Sequence, residues 1–297
     1  MEELYGCVIC GESDTLRPSS ISLRDHSLTG ESFTLSRCVS CEALLTNPRP
    51  GESEIGKYYD FPEYVSHRDD APGFINTLYQ QARKWTTSRK VALLNRVIGR
   101  AAKRPYKLLD YGCGTGFFLR AARDAGWQVA GVEVNAQARA VASQRTGQTI
   151  APGLPELPPE TYDVISLWHV LEHIHQLDAT VADLLSRLAP EGTLLVAVPN
   201  PLALDARHYS GWWAAFDVPR HLYHFTPQSI ARLMERHGAR VMEQIGQPLD
   251  SFYISLLSEK YKTGSALTGW LNGLRSLVSA RQSGNYSSML YVIRRAE

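Results

Sequence analysis

Leu108-Leu-Asp-Tyr-Gly-Cys-Gly-Thr-Gly116 is a short apolar run that breaks into three glycines, followed at once by Phe117-Phe-Leu-Arg-Ala-Ala-Arg123 in helical pattern. Residues without a Cβ at Gly112, Gly114 and Gly116 let the backbone turn sharply between strand and helix. They also let a ligand approach closely at the helix N-terminus, where backbone N–H groups do the holding. The dinucleotide fingerprint G-x-G-x-x-G would place its third glycine at position 117, where Phe117 stands. The spacing is instead G-x-G-x-G, with Asp110 two residues upstream. Glu133 lies 23 residues after Asp110, at the end of the next apolar run. A carboxylate at that place can accept from both ribose hydroxyls of a nucleoside. Alone, such a turn is equally a structural strand-to-helix connection.

Working outward, strand and helix patterns alternate, which predicts a parallel sheet covered on both faces. Candidate strands are 107–110, 128–134, 162–167 and 193–199, with helices near 117–125, 136–145, 178–189 and 227–237; 240–245 and 288–294 add the last two strands. Upstream, Leu78, Ala82, Trp85, Val91, Leu94 and Ile98 recur at helical spacing until Pro105 stops the pattern. Residues 200–226 fit neither period, are dense in aromatics and histidines, and read as a loop over the site. The stretch 252–278 reads as helical with many apolar residues outside a core pattern. Asn47-Pro-Arg-Pro-Gly51 marks a module boundary. The chain therefore divides into 1–50, a connector with a leading helix over 51–104, and a main domain over 105–297 with a lid at 200–226.

The 297 residues, 44% hydrophobic and 21% charged, suffice for one full α/β domain plus an appendage. Lys and Arg number 31 against 30 Asp and Glu, so no overall field draws the chain to a polyanion, which argues against nucleic acid as main partner. The acidic start lacks a signal-type apolar segment, and no stretch reaches the length of a membrane span. A soluble, cytoplasmic protein is expected, and oligomeric state is not written in the sequence.

Cys7-x-x-Cys10 and Cys38-x-x-Cys41 are two knuckle-type pairs, far enough apart for a β-ribbon between them. Without a secretion signal, four such thiolates predict a closed, structural zinc site, weighed against unconnected buried cysteines. Cys113 lies in the glycine turn, outside this set.

The successive segments Leu108 to Gly116, Gly131-Val-Glu-Val-Asn135, Tyr162-Asp-Val-Ile-Ser-Leu-Trp-His-Val-Leu-Glu-His-Ile174 and Leu188-Ala-Pro-Glu-Gly-Thr-Leu-Leu-Val196 resemble the ordered motifs of class I S-adenosylmethionine (SAM)-dependent methyltransferases. The resemblance covers about residues 105–200. It implies a seven-stranded, mostly parallel, Rossmann-like sheet carrying a small N-terminal zinc-binding β module. It implies that Asp110, Gly112, Gly114 and Gly116 surround the methionyl part of SAM. Glu133, with Val134, would hold the ribose, while Leu167, Trp168 and His169 pass beside the cofactor. Where the family often carries an acidic adenine contact after the third strand, this chain reads Thr149-Ile-Ala-Pro-Gly-Leu-Pro-Glu-Leu157. The zinc module and Tyr-containing connector are similar to bacterial small-molecule methyltransferases, in part to sugar C-methyltransferases, whose large C-terminal domain has no counterpart after the sheet here. In that family connector tyrosines approach the cofactor; Tyr58, Tyr59 and Tyr64 stand in the corresponding stretch.

His169, Glu172 and His173 follow the fourth strand at the sheet end where open α/β folds bind ligands. His169 is either cofactor wall or base; Glu172 and His173 either act or orient the next helix. Arg220-His-Leu-Tyr-His-Phe-Thr-Pro227 is similar to a segment of many bacterial methyltransferases of this subgroup. His221 or His224 is the candidate general base and Tyr223 a proton relay, against a purely structural lid. Thr226 and Pro227 should start the next helix.

The expected activity is methyl transfer from SAM to a small-molecule acceptor, with a sugar, a lipid-linked compound and a secondary metabolite as candidates. The alternatives are an RNA methyltransferase with a zinc module and a non-catalytic SAM-binding protein. A nicotinamide oxidoreductase would need the missing glycine spacing.

Overall fold

Alternation of inward and outward residues makes the first strands. In β2 (Ser32–Cys38), Phe33 and Leu35 are buried while Ser32 and Thr34 face out. It pairs antiparallel with β1 (Leu16–Arg24) and with β3 (Leu44–Thr46). The computed structural model describes residues 1–59, 74–99 and 105–296, of which 74–84 by backbone alone; Tyr64 lies outside the described residues. Two compact units divide the chain. One comprises Met1–Asp60, His169–Val181 and Val196–Ala296, the other Phe61–Trp168 and Ala182–Leu195.

The second unit begins with helix α1 (Phe74–Val97) and then follows the alternation read from the sequence. Its elements are β4 (Lys107–Tyr111), α2 (Phe117–Asp124), β5 (Gln128–Val132), α3 (Ala136–Thr146), β6 (Tyr162–Trp168) and the start of β7 (Leu188–Pro199). Strand β4 pairs in parallel with β5 on one side and β6 on the other. Leu108 and Leu109 are fully buried, as a strand covered on both faces requires. Helix α4 (Leu177–Ser186) is shared along the chain, 177–181 counting with the first unit and 182–186 with this one.

In the first unit, residues 200–226 hold α5 (Leu204–Tyr209), two single helical turns and β8 (Tyr223–His224) rather than a loop. β8 pairs with β3 and completes a four-stranded sheet β1-β2-β3-β8. The aromatics drive this arrangement: Tyr209, Trp213 and Phe216 join Leu23, Phe33, Leu35 and Tyr58 in one buried cluster. Helix α6 (Pro227–Arg236) starts as expected, Thr226 accepting from the Ser229 N–H and Ser229 accepting from the Thr226 N–H in a capping box. Then come β9 (Ala239–Gly246), α7 (Asp250–Lys262), α8 (Ala266–Ser283) and β10 (Ser288–Arg295). The expected single helical stretch over 252–278 is two helices, separated at Thr263-Gly264-Ser265, where Ser265 caps α8.

The main sheet has the order β5-β4-β6-β7-β10-β9, with β10 antiparallel to β9. It has six strands among the described residues, where the resemblance implied seven. These six are the same six apolar runs found in the sequence. No helix of the described residues is long and apolar enough to cross a membrane.

Candidate active site

The glycine turn takes the shape its composition requires. Gly112, Gly114 and Gly116 have φ of 77°, 55° and 77°, a region where a Cβ is strained. A Cβ on Gly116 would come within 3.0 Å of Ala142, whereas one on Gly114 would meet nothing within 4 Å. Gly116 is thus a packing glycine, and Gly114 borders open space. Glu133 ties the turn to the next strand: its Oε2 accepts from the Gly114 N–H at 2.9 Å and its Oε1 from the Asn135 N–H at 2.8 Å. Val134 beside it is exposed.

Asp110 is buried under the turn and accepts from Ser166 Oγ at 2.6 Å. Burial raises its pKa to about 7; the Ser166 hydrogen bond and the Lys90 charge oppose the shift, and Glu133 adds to it. At the end of β6, Leu167 is fully buried and contributes packing, while Trp168 packs edge-on against Phe118 with Lys90 Nζ 4.0 Å from its ring centre. Its indole N–H is buried without a hydrogen-bond partner among the described residues. The 149–157 segment runs along the end of β5, with Ala151 bridged in parallel to Val132 and its carbonyl accepting from the Glu133 N–H. Gly114 beside open space, a buried carboxyl at Asp110 and a carboxylate at Glu133 are groups of the kind that SAM's ammonium and ribose would need.

In the other unit, three histidines gather around one carboxylate. Glu172 is fully buried, and neither carboxylate oxygen has a hydrogen-bond partner among the described residues. Its nearest basic groups are His169 Nδ1 at 3.5 Å and His221 Nε2 at 3.9 Å. Burial works against its charge, but His169, His221 and His173 outweigh that and hold its carboxyl at about 2.

His169 has φ of 57° and lies between Glu172 and Asp250 Oδ2, the latter 3.5 Å from its Nε2. Loss of solvent lowers its basicity, yet the two carboxylates win and raise it to about 9. His173 Nδ1 sits 2.9 Å from Tyr59 Oη and 3.0 Å from the Arg220 carbonyl; burial, then the charge of His221, lowers it to about 4. His221 Nδ1 donates to the Ala215 carbonyl at 2.9 Å, so Nε2 carries the lone pair in the neutral ring. The ligand atoms of Glu172, His173 and His221 lie within 4.8 Å of one another and could also hold a cation.

The other two candidate residues of this segment point elsewhere. On a strand, neighbours face opposite ways. Tyr223 is buried, accepts from Arg49 at 2.8 Å and donates to the His175 carbonyl at 3.4 Å. His224 is buried 3.3 Å from Thr46 Oγ1, with its ring centre 6.4 Å from that of His221. Burial, with His221 nearby, lowers it to about 3. Arg220 fixes the segment, pairing with Asp217 at 2.7 Å and Asp25 at 2.9 Å. Sequence reasoning noticed Glu172 and His173 but not that Glu172 is the centre of the group, and it missed Asp250; Glu172 following a strand end was the available signal.

The four N-terminal cysteines form one cluster. Cys7 and Cys41 Sγ are 3.6 Å apart, Cys10 and Cys38 Sγ 3.7 Å, and none is in a disulfide. Tetrahedral Zn–S bonds of roughly 2.3 Å place sulfurs about 3.8 Å apart, so the cluster has the dimensions of a metal site. The hydrogen bond from Cys41 lowers the Cys7 thiol to about 5 and correspondingly raises Cys41, while burial raises Cys10. Four thiolates in this volume therefore need a cation. The Cys7–Cys10 knuckle is braced by Arg236, which donates to the Val8 and Ile9 carbonyls.

Among curated proteins, the ubiquinone biosynthesis O-methyltransferase of Idiomarina loihiensis is 27% identical over 170 residues, 50% of this chain and 69% of that enzyme. Its counterpart in Rhodopseudomonas palustris is 26% identical over 157 residues, 47% of this chain and 60% of that enzyme. That of Burkholderia ambifaria is 30% identical over 103 residues, 32% of this chain and 44% of that enzyme. This chain thus spans between 44% and 69% of the length of these relatives. Two solved structures share the fold. Geranyl diphosphate C-methyltransferase from Streptomyces coelicolor matches with a TM-score of 0.54 at 13% identity, covering 82% of this chain and 96% of that one. Magnesium protoporphyrin IX methyltransferase from Synechocystis, solved with bound SAM, matches with a TM-score of 0.51 at 15% identity, covering 84% and 100%. The family model described as "Methyltransferase domain" matches residues 78–244, more than half of the sequence. The chain therefore belongs to the methyltransferase-domain family, in agreement with the SAM-dependent class that its motifs resemble.

Proposed function

We propose that the chain transfers a methyl group from SAM to a small-molecule acceptor, with His221 as general base. The observation that carries the donor assignment is the Gly114 turn, open on its ligand side and fastened to Glu133. Bound SAM supplies an electrophilic methyl group on a sulfonium, so the protein's task is to position the acceptor and manage its proton. Asp110 pairs with the ammonium group and Glu133 accepts from the ribose.

Among the histidines of this group, His169 is held by two carboxylates, His173 by Tyr59 and the Arg220 carbonyl, and His224 is sealed beside Thr46. His221 has the geometry of a base, its ring oriented by the Ala215 carbonyl and its Nε2 turned toward Glu172. Glu172 stabilises the imidazolium that forms, and Tyr223 supports the segment from its Arg49 contact instead of relaying the proton. A hydroxyl acceptor gives this base a task and accords with the relatives named as O-methyltransferases. A sugar, a lipid-linked compound and a secondary metabolite all satisfy that chemistry. We assign zinc, in a structural role, to Cys7, Cys10, Cys38 and Cys41, which leave it no open position.

Calorimetry with SAM and with NAD, followed by labelled-SAM assays on a metabolite library, tests the reading. SAM binding lost in Asp110→Asn and Glu133→Gln is expected. Binding of NAD in place of SAM would overturn it.

A further inference from the structure

The α7–α8 hairpin is built inside out. Its buried side is mostly small and polar, formed by Ser251, Ser258, Glu259, Asn272 and Ser276, with Ile254 the large apolar exception. These groups are hydrogen-bonded: Ser258 accepts from the Ala214 N–H at 2.9 Å, Asn272 donates to Tyr209 Oη at 3.0 Å, and Ser276 donates to Asp205 at 2.8 Å. The two helices approach closely, since a Cβ on Gly269 or Gly273 would lie 2.9 Å from the Leu256 or Phe252 Cα. With the inner side so filled, the large apolar residues turn outward. Tyr253 is 68% exposed, Leu267 70%, Trp270 49% and Val278 50%, with Leu271 and Leu274 also exposed. Positions 267, 270, 271, 274 and 278 recur at helical spacing, so they make one stripe along α8 and not scattered surface residues.

The charges around this stripe are of one sign. The exposed charged residues of α7 and α8 are Lys260, Lys262, Arg275 and Arg281; of the two acids, Glu259 is buried and Asp250, at the start of α7, is 34% exposed and lies 3.5 Å from His169. We propose that the outer face of the α7–α8 hairpin docks the protein on an anionic lipid bilayer, its apolar stripe entering the headgroup boundary and Lys260, Arg275 and Arg281 meeting the lipid phosphates, while Lys262 packs over the buried Tyr209 ring. Trp270 and Tyr253 suit that depth, having an apolar ring and a polar atom. A second copy of the chain fits the face less well. An isologous contact would set two groups of basic residues together, with Asp250, already beside His169, as the one partly exposed acid of each hairpin to answer them. The helices lie on the surface and do not cross, in keeping with their length and composition. This inference is independent of the methyl-transfer reading.

Sedimentation of the full chain with phosphatidylcholine vesicles, with and without phosphatidylglycerol, tests it. Binding is expected to the phosphatidylglycerol vesicles, to fall as salt rises, and to be weak on phosphatidylcholine alone. The exposed double variant Leu267→Asp/Leu271→Asp should lose it while keeping the wild-type circular dichroism. Lys260→Glu/Arg275→Glu should weaken it by about tenfold or more, because opposite charges are replaced by like ones. Wild-type protein left in the supernatant with both vesicle types overturns the proposal. So does vesicle binding unchanged in both variants, or a wild-type dimer in analytical ultracentrifugation that Leu267→Asp/Leu271→Asp converts to monomer, which would assign the face to a second copy.

Discussion

Asp110 is a residue where burial and function pull against each other. Because its folded-state pKa is raised to about 7, the unfolded chain releases this proton from about pH 4 while the folded one keeps it. Stability of the ligand-free protein should therefore fall as pH rises through that window, by up to about 1.4 kcal/mol per pH unit from this group, and level off above pH 7. Asp110→Asn should flatten that slope in denaturant titrations; an unchanged slope would remove Asp110 as its source. A ligand ammonium favours the carboxylate, so SAM binding at pH 6 should release close to one proton, seen as a dependence of the calorimetric heat on buffer ionisation enthalpy. For the acceptor side, His221→Ala should cut turnover by about 100-fold or more with SAM affinity unchanged. His224→Ala should act mainly on stability, since His224 is sealed against Thr46. Equal turnover losses in the two variants, at equal stability, would contradict this ordering.

Within the strand–turn–helix element, the glycines divide the work, and two substitutions separate it. Gly116→Ala adds both a left-handed strain of roughly 1–2 kcal/mol and a contact with Ala142, so it should lower the denaturation midpoint and SAM affinity together. Gly114→Ala carries similar strain but meets open space, so its Cβ should obstruct the ligand more than it harms the fold. If both variants lose stability and affinity in the same ratio, Gly114 does not border the ligand. At the start of α6, Thr226→Ala removes the acceptor of the Ser229 N–H and should cost about 1 kcal/mol. Elements of this kind were legible in the sequence because their signals are local: glycine spacing, a Thr-Pro start, apolar runs bounded by turns. The inward packing of residues 200–226 was not legible. Trp213 and Phe216 have no helical or strand period, and their partners Leu23, Phe33 and Leu35 lie far away in the chain.

At the level of the whole chain, the same distinction separates what was read from what was not. The cysteine pairs announce a four-cysteine cluster because each knuckle is complete within four residues. The Glu172 group does not, because it forms only when Tyr59, His169, Ala215, Arg220 and Asp250 converge from separate segments, and a Glu after a strand looks like an ordinary helix-start acid. If the cysteine cluster holds zinc, it anchors more than its own knuckles. Cys38 ends β2, β2 pairs with β1 and β3, and β3 pairs with β8, which lies in the same segment as His221. Arg236 of α6 braces the first knuckle as well. Removing the metal leaves thiols that cannot all ionise together, and the small sheet loses its closure. Chelation, or Cys38→Ser, should therefore abolish bound zinc, lower the melting temperature and reduce turnover more than SAM affinity, since the Asp110–Glu133 site belongs to the other unit. Metal analysis, thermal denaturation and SAM calorimetry on the same preparations would check this. Zinc-free protein with an unchanged melting temperature and turnover would show that the cluster holds nothing the sheet depends on.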